Sequence, residues 1–303
     1  MENFVLIIAY LIIGFGLRRV PQIPQETGLV FNQYVLVVAL PALVFLKIPT
    51  VHFSTELLLP ALVPWLILTV VAGLVFAASK IWQWSREVTA ALLIALPLGN
   101  TSFLGFPMVE AFFGSEGLPV AIIYDQAGSF IALATYSTIL AALYGGNGNK
   151  PSATQMLKRI ATFPSFIALI LAFCLKGWSY PPILTQLLES LAATLVPVIM
   201  IAVGFQFRFR LDAAEVKPLL FALPVKLLLM PLIALAILMC FEVSPLVFKV
   251  TVFEAAMPVM ISAGAIAIAA GLAPKMVSSL VAIGLVMSFV TLPMWAWVLA
   301  QLH

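Results

Sequence analysis

Apolar runs of about the length a bilayer demands recur ten times along this chain, and that recurrence limits its fold more than any other feature. They fall near residues 3–17, 28–46, 59–79, 89–113, 118–143, 160–176, 183–207, 218–241, 246–272 and 276–302, separated by charged or Pro/Gly-containing connections. A helix needs about 20 apolar residues to cross the hydrocarbon layer. A soluble globule needs a polar skin instead. With 63% hydrophobic and 9% charged residues, this chain cannot make one; soluble domains carry roughly 25% charged residues. The expected fold class is an all-α membrane protein with about ten transmembrane helices, and its first partner is the lipid bilayer. No basic residue precedes the first run, and Arg18 and Arg19 follow it, so that run is expected as a retained span and not a removed leader. Cys174 and Cys240 both lie in apolar segments and are expected as reduced core thiols.

Basic residues set the expected orientation. Connections after odd-numbered runs carry Arg18, Arg19, Lys80, Arg86, Lys150, Lys158, Arg159, Arg208, Arg210, Lys217 and Lys275, whereas connections after even-numbered runs carry Lys47, Lys176 and Lys249. Basic loops stay cytoplasmic. Both termini are therefore expected outside, in a bacterial inner or plasma membrane. The Gly/Asn-rich linker 144–159 is expected in the cytoplasm, dividing the chain into five-run halves at 1–143 and 160–303. Trp82, Trp84, Trp178, Trp295 and Trp297 lie near run ends, where interfacial aromatics are expected. No basic tail for nucleic acid is present.

The halves echo each other. Pro41 in the second run and Pro197 in the seventh are 156 residues apart; Pro97 in the fourth and Pro258 in the ninth are 161 apart. Pro60 and Pro64 in the third run are matched by Pro224 and Pro231 in the eighth. Two five-span units in one chain must have opposite orientations. The pattern predicts inverted five-helix repeats with broken helices, a recurring plan of secondary transporters.

The fourth and ninth runs carry the chemistry. Pro97, Gly99, Asn100, Thr101, Ser102, Gly105 and Pro107 fall within eleven residues at expected bilayer depth. Proline removes a donor and glycine loosens the backbone, so a helix break is expected at Pro97, and another at Pro258. Mid-helix Pro41 and Pro197 are candidates for further breaks. Such breaks are tolerated only in a cavity or inside protein. Each exposes a half-helix N-terminus, a partial positive charge suited to an anionic group. Intramembrane ionisable groups are functional candidates by default. Here they are Asp125 (beside Gln126), Lys226 and Glu254, with Glu110 and Glu189 nearer run ends. Lys226 and Glu254 are either a buried ion pair or a substrate or proton site.

The stretch Asn100-Thr101-Ser102-Phe103-Leu104-Gly105-Phe106-Pro107 resembles the Asn-Thr-x-x-x-Gly-x-Pro pattern of the auxin efflux carrier family, whose bacterial members are described as malate, malonate or general organic-anion permeases. The resemblance continues in Ala39-Leu40-Pro41-Ala42-Leu43, Val225-Lys226-Leu227-Leu228-Leu229-Met230-Pro231, Ala255-Ala256-Met257-Pro258 and Thr291-Leu292-Pro293-Met294-Trp295. It implies two inverted five-helix repeats similar to sodium/proton antiporters, with broken helices 4 and 9 crossing at the centre. It also implies that Asn100 binds a substrate carboxylate. The sequence departs from plant members in having Gly99, not proline, directly before the asparagine, so the break is expected a turn earlier.

The leading expectation is a secondary transporter, an efflux carrier or permease, for a small organic anion such as a carboxylate or auxin-like acid, working by alternating access. Gly99, Asn100, Thr101, Ser102, Lys226 and Ser262 are the candidate substrate-binding residues, and Asp125, Gln126 and Glu254 the candidate coupling-ion residues. No cofactor or metal is expected, while coupling to H⁺ or Na⁺ stays open, as does a homodimer. The alternative is a cation/proton antiporter on the same scaffold. An intramembrane metalloprotease needs a His pair in a metal-binding motif, and the histidines are His52 and His303 alone. An enzyme is not expected.

Overall fold

The computed structural model describes residues 2–50, 54–145, 152–206 and 216–302. His52, His303, Lys150, Arg208, Arg210, Asp212 and linker residues 146–151 lie outside the described residues. All regular structure among the described residues is helical. In chain order the helices are α1 (Glu2–Leu17), α2 (Thr27–Lys47), α3 (Thr55–Trp82), α4 (Arg86–Ala95), α5 (Thr101–Phe113) and α6 (Leu118–Tyr144). The second half holds α7 (Ala153–Ala161), α8 (Pro164–Cys174), α9 (Pro182–Gln206), α10 (Val216–Leu238), α11 (Pro245–Ala255), α12 (Ile261–Ala269) and α13 (Pro274–Leu302).

Among the described residues six helices are long and apolar enough to cross a membrane, namely α2, α3, α6, α9, α10 and α13. A seventh is added if α7 and α8, which meet at 63°, form one bent span. The apolar runs 3–17, 89–113 and 246–272 are also helical, but α1 is short and the other two are interrupted. Ile12, Ile183, Leu220 and Val290 are exposed large apolar side chains. Apolar surface of that extent fits lipid and not water.

Prolines shape the long helices in a repeated way. A wide π turn spans Val35–Ala39 just before Pro41, Thr101–Gly105 just before Pro107, and Val225–Leu229 just before Pro231. Proline cannot donate and its ring crowds the carbonyl one turn back; widening that turn relieves both. In the turns before Pro41 and Pro231 a released carbonyl finds another donor. Ser165 donates to Leu36 at 3.1 Å, and the Trp295 indole donates to Leu227 at 2.9 Å. Thus Trp295 is buried against α10 and does not lie in an interfacial belt. At Pro41 the helix continues through its π turn, whereas near Pro197 α9 is interrupted at Thr194, whose hydroxyl meets Tyr34 of α2 at 3.0 Å.

Packing sorts the helices into two groups. In one, α1 lies along the second half of α9, while α2 packs on α8 and α9. A methyl group at Gly14 would overlap the Ile201 carbonyl, and one at Gly204 the Leu11 carbonyl, so both backbones depend on glycine for this approach. In the other group α3 packs on α6, with Gly128 against the Pro64 ring, while α10 packs on α3, α11 and α13. The interrupted helices join them: α4 meets α12, and α5 meets α1 and α11. Cys174 and Cys240 are free as expected, but both are exposed and not in the core. A lipid-facing surface accepts a small apolar thiol as readily as a core does.

α7 differs from its neighbours. Its start is closed by a capping box in which the Gln155 amide donates to the Ser152 hydroxyl and Gln155 Oε1 accepts from the Ser152 amide, each at 3.2 Å. Leu157, Lys158 and Arg159 are exposed. The sharp bend into α8 and this mixed surface fit a helix lying along the membrane interface.

Candidate functional site

Two helix breaks meet at the centre of the bundle. α4 ends at Ala95; Leu96 keeps helical dihedrals and its amide still donates to Leu92, and the chain leaves the helix at Pro97, which has no N–H to continue the ladder. Helix resumes at Thr101. α11 ends at Ala255 and α12 begins at Ile261, with Pro258 between them. The two extended segments pair with each other as a short antiparallel bridge centred on Gly99 and Val259. The Asn100 amide donates to the Pro258 carbonyl at 2.8 Å, and the Met260 amide to the Leu98 carbonyl at 3.0 Å. Backbone groups freed by each proline are thereby satisfied without water. The last carbonyls of α4 are also covered: the Tyr136 hydroxyl donates to Leu93 at 3.0 Å and the Ser137 hydroxyl to Ile94 at 3.5 Å.

Around this bridge the structure gathers Gly99, Asn100, Thr101, Ser102, Asp125, Gln126, Lys226 and Glu254. Asp125 is held tightly. Its Oδ1 accepts from Thr101 at 2.5 Å and Ser102 at 2.6 Å, and its Oδ2 from Gln126 at 2.7 Å. The Thr101 and Ser102 hydroxyls therefore face Asp125. Asn100 is buried, and its side-chain amide donor has no hydrogen-bond partner. Ser262 is half-buried on the first turn of α12 and makes no hydrogen bond to these groups.

Lys226 and Glu254 are both fully buried, yet they do not pair. Lys226 Nζ contacts the Met230 sulfur at 3.4 Å, and neither Glu254 oxygen has a hydrogen-bond partner. The ion-pair alternative for these two residues is thus not realised. Lys226 turns instead toward the break, its Nζ 3.5 Å from where a Cβ at Gly99 would stand. Glu254 lies over Gly105, where an added Cβ would be 2.5 Å from Oε2 and 2.7 Å from Oε1. Gly105 is thus the floor on which the carboxyl rests. One turn before Glu254, the buried Thr251 hydroxyl also lacks a partner, as does Gln126 Oε1. Three π turns carry Thr101–Ser102, Asp125–Gln126 and Lys226 into the site. Such turns add an extra residue per turn and re-aim side chains, and they are frequent at functional sites.

Gly105, Thr251 and Met230 join the residues picked from the sequence. For two of them the signal was helical spacing: Thr251 precedes Glu254 by three and Met230 follows Lys226 by four, so each shares a face with its ionisable neighbour, whereas Gly105 stood in the fourth-run motif without an assigned role. Glu110 and Glu189, singled out near run ends, line one pocket together with Lys47. Among the described residues no group of three His, Cys, Asp or Glu side chains could hold a metal ion.

Comparison with known proteins agrees over the whole chain. The family model described as "Membrane transport protein" matches residues 1–296. An uncharacterised transporter of Methanothermobacter thermautotrophicus is 29% identical over 307 residues, covering 98% of this chain and 98% of the relative. An uncharacterised transporter of Methanocaldococcus jannaschii is 25% identical over 309 residues, covering 99% of this chain and 98% of the relative.

Proposed function

Because the chain belongs to the membrane transport protein family, the family of auxin efflux carriers that its motifs resemble, we propose that it is a secondary transporter moving a small organic anion by alternating access. The observation that carries this reading is the pair of unused positive and donor groups at the break. Among the described residues the Lys226 ammonium has no acidic partner, and the Asn100 amide donor has no hydrogen-bond partner. Both adjoin Gly99, where helices α5 and α12 begin and their partial positive ends converge. A carboxylate placed there would receive an ammonium, an amide N–H and two helix dipoles at once. Thr101 and Ser102 act through Asp125, holding the π turn of α6 against the break.

On this reading the two breaks are the crossing of the fourth and ninth spans of two inverted five-helix repeats. Reciprocal packing supports it: α1 of the first half lies on α9 of the second, and α8 of the second lies on α2 of the first. The distribution of arginine and lysine supports a plasma-membrane protein with both termini outside.

Glu254 favours a second reading, a cation/proton antiporter. Its two unpartnered oxygens at bilayer depth are where a proton or Na⁺ would enter. In the leading reading the same carboxyl couples anion movement to that ion. Without such coupling, membrane potential suffices to expel an anion, at about 2.3 kcal/mol per charge per 100 mV.

The test is a thermal-shift and uptake screen of the purified, reconstituted protein against mono- and dicarboxylates and indole acids, repeated with Asn100→Ala and Lys226→Met. The anion reading expects at least one acid to stabilise the protein and be taken up, with both variants losing it. Stabilisation by Na⁺ or a pH step alone, with no acid active, would move the antiporter reading ahead.

A further inference from the structure

Resting on the carboxylate site proposed above, but not on a net negative charge, we infer that the substrate is a zwitterion: a carboxylate that also carries an ammonium group and an apolar body, as an amino acid does, so that its movement is not driven by membrane potential alone. The argument starts away from the break, in a cavity of about 430 Å³ between α1, α2, α5, α6 and α9. Its walls are mostly aliphatic, and three charged side chains enter it: Lys47 from the end of α2, Glu110 from α5 and Glu189 from α9. Lys47 and Glu110 are half-buried in the cavity wall, and no hydrogen bond or ion pair joins them. Opposite charges held in one partly apolar cavity, but apart, leave room for a molecule carrying both signs between them. Lys47 would take its carboxylate and Glu110 its ammonium.

The deeper site repeats this chemistry. Lys226 stands unpaired beside Gly99, and Glu254 stands unpaired over Gly105, both fully buried. An anion alone satisfies the lysine and leaves the Glu254 oxygens without a donor; a zwitterion satisfies both. α5 links the two places, running from Asn100 at the break to Pro107 and Glu110 in the cavity wall. The deep station thus offers one ammonium and one carboxyl, and the cavity one ammonium and two carboxyls, Glu110 and Glu189, with α5 running between the two places. A buried polar group left without its partner is what gives a site strong discrimination against analogues lacking the matching group. The amine therefore becomes a requirement, not an accessory. Leu43, Leu46, Ile7 and Phe106 in the cavity wall suit an aliphatic side chain.

The experiment uses the full chain, purified and reconstituted, with three probes of one shape: leucine, the 2-hydroxy acid that replaces its amine by hydroxyl, and 3-methylbutylamine, which keeps the amine and loses the carboxylate. Binding is read by thermal shift and calorimetry, transport by counterflow. We expect leucine to bind about tenfold or more tightly than either analogue. Glu110→Gln, close to isosteric, should remove the preference over the hydroxy acid, and Lys47→Gln should weaken leucine and the hydroxy acid alike. The hydroxy acid binding wild-type protein as tightly as leucine would overturn the inference and leave the carboxylate reading standing. So would binding of a dicarboxylate with no response to leucine. Failure of every carboxylate tested would remove both.

Discussion

The amide of Asn100 donates to the carbonyl of Pro258 across 2.8 Å. Two segments from opposite halves of the chain, each interrupted by proline, thereby supply what the other has lost. The bond fixes the backbone of Asn100 and leaves its side chain uncommitted. A fixed backbone carrying a free donor is the arrangement a recognition residue needs.

That division makes Asn100→Ala informative. The backbone bond to Pro258 persists in the variant, and the amide nitrogen removed has no partner to orphan. Stability should change by roughly 1 kcal/mol or less, and substrate affinity should fall about tenfold. Melting temperature and ligand affinity of the same preparation check both halves. A large loss of stability, or unchanged affinity in a folded variant, would count against a role in binding.

Gly105 offers a test of Glu254 that leaves its charge in place. A methyl at Gly105 would stand 2.5 to 3.0 Å from the carboxyl atoms, so the Glu254 side chain must swing away. Gly105→Ala should impair transport and cost about 1–3 kcal/mol of stability. Gly73→Ala is the control, because nothing lies within 4 Å of its added methyl and an internal helical glycine is itself unfavourable. Equal behaviour of the two variants in melting and uptake assays would show that Glu254 has no fixed seat.

The α1–α9 contact should be among the least tolerant of substitution. At Gly14 and Gly204 an added methyl meets backbone carbonyl, which cannot rotate aside as a side chain can. Each Gly→Ala change there should lower stability by about 1–3 kcal/mol or force the helices apart. Gly16→Ala, two residues along the same helix with open space around it, should be close to neutral. Detergent melting curves of the three variants separate these outcomes.

Much of this was legible in the sequence because a bilayer leaves few solutions. Each of the ten apolar runs contains helix, six or seven of the helices are long and apolar enough to cross a membrane among the described residues, and Pro97 and Pro258 both lie in breaks. What was not legible is how the broken backbone is repaired. Sequence shows that Pro41, Pro107 and Pro231 remove donors; it does not show that π turns absorb each one, because that depends on neighbours such as Trp295 and Ser165 reaching the freed carbonyls. The grouping of Asp125 with Thr101 and Ser102 followed only from tertiary packing of α5 on α6. Trp295 illustrates the converse error: placement near a run end suggested an interfacial ring, but an indole N–H close to an orphan carbonyl is drawn inward.

Lys226→Met separates structure from function most sharply. The lysine is fully buried, its ammonium has a thioether sulfur as its hydrogen-bond partner and lies beside Gly99, and among the described residues no carboxylate pairs with it. Burying a charge without a partner is unfavourable, and replacing it with an apolar side chain of similar length is often neutral or stabilising. Methionine fills the same volume, removes the charge and keeps the contact with Met230 apolar. The melting temperature of Lys226→Met should therefore equal or exceed that of wild type in the absence of substrate. Uptake and ligand-induced stabilisation should both be lost, because the carboxylate would no longer meet a positive charge at the break. A variant that melts well below wild type while still transporting would show that the ammonium serves the fold and not the substrate.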